Sequence, residues 1–173
     1  MTVFQTFTAG QILTASQVST LQANSTKVAI FADQKASGTQ GGNATAGSFV
    51  KRTLNTTVVN NITGCSLASD VITLTAGTYL VTANAPFYRV DNFQMRLQNT
   101  TAGTTLVTGT SMLSQNPGEE TSIGGLNGYF TLTGSTTIEL QYRVTTNTNA
   151  NSLGVATGWG TEVYANIMIQ QVA

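Results

Sequence analysis

The chain has 173 residues, only 8% of them charged, with seven Lys and Arg balanced by seven Asp and Glu and no histidine. Against about 25% charged residues in an ordinary soluble domain, this excludes the basic stripe of a nucleic-acid binder and a polybasic membrane anchor. Without histidine there is no Ser-His-Asp or Cys-His machinery and no His-based zinc site, and one cysteine permits neither an internal disulfide nor a structural zinc centre.

Residues 1–26 differ in pattern from the remainder of the chain. Phe4, Phe7, Ile12 and Leu13 are apolar with no core of their own, and Val18 and Leu21 share one helical face. Thr14-Ala15-Ser16-Gln17 has the form of a capping box and predicts a short helix over about 15–24. A helix this short is not stable alone, so these six apolar residues are read as a docking arm. The stretch has neither a positive n-region nor an apolar h-region, so no signal peptide is expected. No apolar run approaches the roughly 18 residues of a membrane span. Assembly in a cytoplasm is the expectation.

From Lys27 to the end the pattern is strand after strand, over 27–34, 47–54, 71–75, 78–90, 93–99, 104–108, 126–133, 137–145 and 162–171. In 137–145, Ile138, Leu140, Tyr142 and Val144 alternate with Thr137, Glu139, Gln141 and Arg143, the mark of a sheet covered on one side. Three hairpins are predicted by register. A loop at Ala76-Gly77 pairs Leu74 with Tyr79 and Ile72 with Val81. One at 100–103 pairs Leu97 with Leu106 and Met95 with Thr108. A three-residue loop, Gly134-Ser135-Thr136, pairs Leu132 with Ile138 and Phe130 with Leu140. Pro86 marks an edge or a bulge, Asp91-Asn92 a turn, and Gly41-Gly42 and Gly124-Gly125 loops or bulges. Such strands in one domain predict an all-β, antiparallel two-sheet jelly-roll sandwich over 27–173.

The candidate chemistry is sparse. Asp33, Asp70, Asp91, Glu119, Glu120, Glu139 and Glu162 are the acids from which a glycosidase-type pair could be drawn, but Glu119-Glu120 follows an Asn-Pro-Gly turn and reads as solvated. No catalytic, cofactor or metal site is expected. Cys65 reads as a small buried hydrophobe. Five Asn-x-Ser/Thr sequons, at Asn24, Asn43, Asn55, Asn61 and Asn99, follow from the Asn/Thr-rich composition. Tyr88 and Tyr164 fall off the inward alternation, and Trp159 lies between two glycines. These three are read as an interface or a ligand face.

Two resemblances bear on these readings. The Val71–Tyr88 stretch, with its Gly77-Thr78-Tyr79-Leu80-Val81 core, together with Phe93–Gly109, Gly128–Val144 and Glu162–Val172, resembles the strand pattern of the tumour-necrosis-factor and complement globular-head superfamily. That resemblance implies a jelly roll and a homotrimer. The sequence departs from the animal members in lacking a collagen repeat and in its Asn/Thr-rich neutral surface. Phe7-Thr8-Ala9-Gly10-Gln11-Ile12-Leu13-Thr14-Ala15 is similar to an N-terminal motif of tailed-phage structural proteins. Together they imply a non-enzymatic bacteriophage virion protein, a capsid decoration, cement or head-fibre trimer held by its arm to other virion proteins. The alternative is a tail-fibre tip that recognises a host surface glycan or protein.

Overall fold

A computed structural model describes residues 9–19, 27–147 and 150–172. Thr14 and Gln17 close the expected capping box. The Thr14 N–H donates to Gln17 Oε1 at 2.9 Å, and the Gln17 N–H donates to Thr14 Oγ1 at 3.3 Å. Residues 15–19 are helical. The rest of the predicted helix, with Phe4, Phe7 and Leu21, lies outside the described residues. Among those described, no helix is long and apolar enough to cross a membrane.

Eleven strands make up the described body: β1 Val28–Lys35, β2 Val50–Lys51, β3 Thr56–Asn60, β4 Ser66–Ala68, β5 Val71–Leu74, β6 Gly77–Tyr88, β7 Asp91–Asn99, β8 Thr104–Ser114, β9 Thr121–Leu132, β10 Thr136–Val144 and β11 Glu162–Gln171. They form two antiparallel sheets, β3-β1-β11-β6-β9 and β4-β5-β10-β7-β8, with β2 added beside β10. This is the expected jelly-roll sandwich. Its core lies between the sheets, where Phe31, Tyr79, Phe87 and Ile167 of one meet Ile72, Met95, Leu97 and Leu140 of the other. Phe87 stacks on Phe93 at 4.3 Å between centroids and tilts against Tyr142 at 5.9 Å, geometries that aromatic quadrupoles favour.

Two of the three expected hairpins are corrected. β5 pairs with β4 and β10, while β6 pairs with β11 and β9, so the chain changes sheet at Thr75-Ala76. β9 and β10 likewise lie in different sheets. Ile72, Leu74, Tyr79 and Val81 are all buried, as are Phe130, Leu132, Ile138 and Leu140. They meet across the core rather than side by side. An inward-facing alternation satisfies either arrangement, so alternation alone does not choose between them. The third hairpin forms around 100–103, but a bulge at Leu106 sets Leu97 opposite Val107 and Arg96 opposite Thr108.

Further corrections are local. Strand 47–54 shortens to β2, β8 runs on to Ser114, and β9 begins at Thr121. Asp91 and Asn92 open β7 instead of forming the turn. β3 is polar at most positions and β4 is only three residues long, so neither gives much strand signal. β6 is an interior strand, but its pairing with β11 stops at Asn84, so Pro86 has a strand neighbour only at Ile123 of β9 and no ladder bond is lost. Gly124 is neither loop nor bulge. A Cβ there would lie 2.9 Å from both Phe87 and Phe93 ring atoms, so glycine makes room for the aromatic stack. Cys65 is half-buried against the core rather than fully inside it, and burial pushes its thiol up to about 11.

Candidate functional site: the outer face of the five-stranded sheet

The two outer faces of the sandwich differ in chemistry. On the six-stranded side the outward positions include Lys51, Arg96, Glu139 and Arg143. Arg96 Nε donates to Gln141 Oε1 at 2.9 Å and its guanidinium lies 3.9 Å over the Phe49 ring. Nearby, Phe49, Phe93, Met112, Leu113 and Arg143 line an open groove of about 690 Å³.

On the five-stranded side, the ladder registers assemble outward residues into rows. Val28, Gln170, Leu80 and Tyr129 form one row across β1, β11, β6 and β9. Ile30, Met168, Thr82 and Asn127 form the next, with Val59 of β3 beside Ile30. Ala32, Asn166, Asn84 and Gly125 form a third. None of these is an ionisable acid or base of the Asp, Glu, Lys or Arg type. The charged residues of these strands are turned elsewhere: Asp33 and Glu162 are buried, and Lys35 Nζ is held by the Gln40 and Gly41 carbonyls. Leu80 (45% exposed), Tyr129 (65%) and Met168 (41%) stand out to solvent. Together with Thr82, Asn127 and Gln170 they line a shallow groove of about 460 Å³. An uncharged sheet face studded with an aromatic, a leucine and a methionine has the composition of an interface core.

The sequence-predicted site residues fare unevenly. Ile12, Leu13 and Val18 of the arm are exposed, Ile12 almost entirely. Tyr88, Trp159 and Tyr164 do not form one exposed face. Tyr164 is buried and its hydroxyl donates to the Thr39 carbonyl at 2.6 Å. Burial, chiefly, raises its phenol above the ordinary range. The reason is a register shift between Asp33 and Gln34: Asp33 pairs with Ala165 and Gln34 with Val163. Tyr164 is left as the extra residue, and Val163 turns outward instead of inward. Tyr88 is buried under the 150–153 segment, with its N–H bonded to the Ser152 carbonyl and Arg89 over its ring. Only Trp159 is exposed, at 93%. Leu80, Tyr129, Met168 and Ile30 were missed, although apolar residues on the Thr/Asn face of predicted strands are a legible signal.

The acids accept from backbone amides or from neighbouring side chains. Asp70 accepts the Leu54 N–H at 3.1 Å and lies 3.8 Å from Lys51. Asp91 accepts the Asn116 N–H at 3.0 Å and the Thr146 hydroxyl. Glu120 accepts the Gln115 N–H at 3.0 Å. Glu139 accepts from Gln141 at 2.7 Å. Asp33 is buried beside Asn55, and desolvation raises its carboxyl above the ordinary range. Glu162 accepts the N–H groups of Gly158, Gly38 and Thr157 at 2.8, 3.0 and 3.1 Å. These bonds favour its ionised form and lower its pKa. Among the described residues no three His, Cys, Asp or Glu side chains gather as metal ligands would.

No family model and no curated protein matches the chain. Comparison with solved structures gives murine APRIL at pH 8.0, with a TM-score of 0.52 and 12% identity over 83% of this chain and 97% of that one. It also gives the globular domain of the zebrafish complement 1qA protein, with a TM-score of 0.50 and 13% identity over 84% and 98%. At such identities the likeness is one of fold: this chain is a jelly roll of the tumour-necrosis-factor and complement-head type.

Proposed function

We propose that this protein is a non-enzymatic, homotrimeric structural subunit of a bacteriophage particle. It self-associates through the outer face of the five-stranded sheet and is held in the virion by residues 1–26. The observation that carries the reading is the contrast between the two outer faces. One is charged and internally hydrogen-bonded. The other is uncharged and presents Leu80, Tyr129 and Met168 to water, as a surface normally covered by a partner does. The jelly-roll fold and the strand resemblance support three-fold association. The Phe7–Ala15 motif supports the phage assignment, with the mature protein in the virion after assembly in the host cytoplasm. The exposed Ile12, Leu13 and Val18 are the part of the arm on which other virion proteins, of capsid or tail, close.

Leu80→Asp and Tyr129→Asp test the interface. Both positions face solvent in the single chain, so the variants keep the β-sheet circular dichroism of the parent. At a buried interface either carboxylate is unpaired and costly, so both variants run as monomers. Variants that keep the parent's association state overturn the assignment of this face. Deleting residues 1–26 tests the arm: the remainder stays folded and associated but no longer joins the particle. An unfolded truncation would place the arm in the core instead.

A further inference from the structure

We propose that Trp159 and the loops around it form a binding site for a neutral saccharide, an inference independent of the trimer. Trp159 contributes nothing to the core, since 93% of it is open to water. Yet the loop that carries it is held firmly. Glu162 accepts the Gly158 N–H, immediately before the tryptophan, together with those of Thr157 and, from the opposite loop, Gly38. Gln40 Oε1 accepts the Ala156 N–H at 2.8 Å. An exposed indole on a loop tied through the Ala156, Thr157 and Gly158 amides is an aromatic platform whose backbone ordering cost is already met on folding.

The surroundings select the ligand class. The connections 36–49 and 145–161 contain no Asp, Glu, Lys or Arg, and Glu162 is buried and fully occupied by its donors. The exposed polar residues of these loops include the neutral Ser37, Thr39, Thr157 and Thr161. The electron-rich indole face attracts the slightly positive C–H face of a pyranose ring, and neutral hydroxyls match sugar hydroxyls. Lys35, the cation at this end of β1, has its ammonium held by the Gln40 and Gly41 carbonyls. A protein hot spot is usually ringed by further close-packed apolar contacts, whereas this tryptophan is flanked in the chain by glycines and then threonine. Position agrees. The arm enters β1 at Val28, opposite Gln170, whereas Trp159 adjoins the other end, where Lys35 pairs with Glu162. The strand between them spans roughly 25 Å, so an anchored arm leaves Trp159 facing outward.

Trp159 is the sole tryptophan of the chain, so indole emission reads the site directly. The full-length protein is titrated with maltoheptaose, chitotetraose, α-mannan and laminarin, with hyaluronan as the anionic comparison. At least one neutral probe is expected to give a saturable blue shift. Trp159→Ala, at a position too exposed to disturb folding, is expected to weaken retention on that immobilised saccharide about tenfold or more. No shift with any neutral probe, a shift with hyaluronan alone, or undiminished retention of Trp159→Ala overturns the proposal.

Discussion

Gly109→Ala tests how the sandwich closes along the side where β8 and β9 form the adjoining edges of the two sheets. A Cβ at Gly109 would lie 2.6 Å from the Gly125 carbonyl oxygen and 2.8 Å from that of Met95. Both obstacles are backbone in paired strands, one in the facing sheet and one in the neighbouring strand β7, so relief requires β8 to shift against both. Overpacking of this kind costs about 1–3 kcal/mol, and a chain of this size loses about 2–4 °C of Tm per kcal/mol. The expected fall is therefore about 2–12 °C, even though replacing glycine restricts the unfolded chain and offsets part of the loss. Gly134→Ala is the control. It sits exposed in the β9–β10 turn, and a methyl group added there would meet nothing within 4 Å, so its effect stays within about 0.5 kcal/mol. Thermal unfolding followed by circular dichroism measures both. A Gly109→Ala variant that melts with the parent, or a Gly134→Ala variant that falls as far, refutes the reasoning.

Three further outcomes concern buried or clamped groups. Arg52 is fully buried and donates through Nη2 to the Leu153 and Tyr164 carbonyls at 2.6 Å each, while its Nε and Nη1 have no partner among the described residues. Arg52→Ala therefore leaves a cavity and two stranded carbonyls and costs about 3–5 kcal/mol in denaturant unfolding, whereas Arg52→Met keeps the volume, removes the desolvated charge and costs distinctly less. Glu162 has a folded pKa below its unfolded one, so its contribution is present above the unfolded value and lost as pH falls through the folded value. Amide exchange at Gly38, Thr157 and Gly158 should accelerate in that acid window, and Glu162→Gln should show the faster exchange already at neutral pH. With its thiol pushed up to about 11, Cys65 should alkylate far more slowly at pH 8 than an unperturbed thiol of about 8.5; a rate equal to that of a free cysteine would show the site to be open.

Much of the fold was legible because alternation reports which side of a strand meets the core. Ile138, Leu140, Tyr142 and Val144 are buried as their spacing requires. Alternation does not report which strand lies alongside. β5 and β6, or β9 and β10, satisfy the same inward pattern from opposite sheets, and a tight Thr75-Ala76 connection looks the same whether it turns or crosses. Tyr164 was misplaced because a single bulge opposite Asp33 and Gln34 reverses the local phase, an event with no sequence mark of its own. Tyr88 was misplaced because a distant segment, 150–153, covers it. The capping box at Thr14 and Gln17 was readable because both partners lie within one helical turn. The outer-face patch is assembled from β1, β11, β6 and β9, and it becomes visible only once their registers are known.

The central claim is that the uncharged sheet face joins three copies of the chain. Light scattering on a sizing column tests it most directly, with the full-length protein run over a range of concentrations. Association through this face predicts a mass near three times 18.1 kDa, collapsing to a single chain in Leu80→Asp. A parent protein that stays at 18.1 kDa throughout would contradict it.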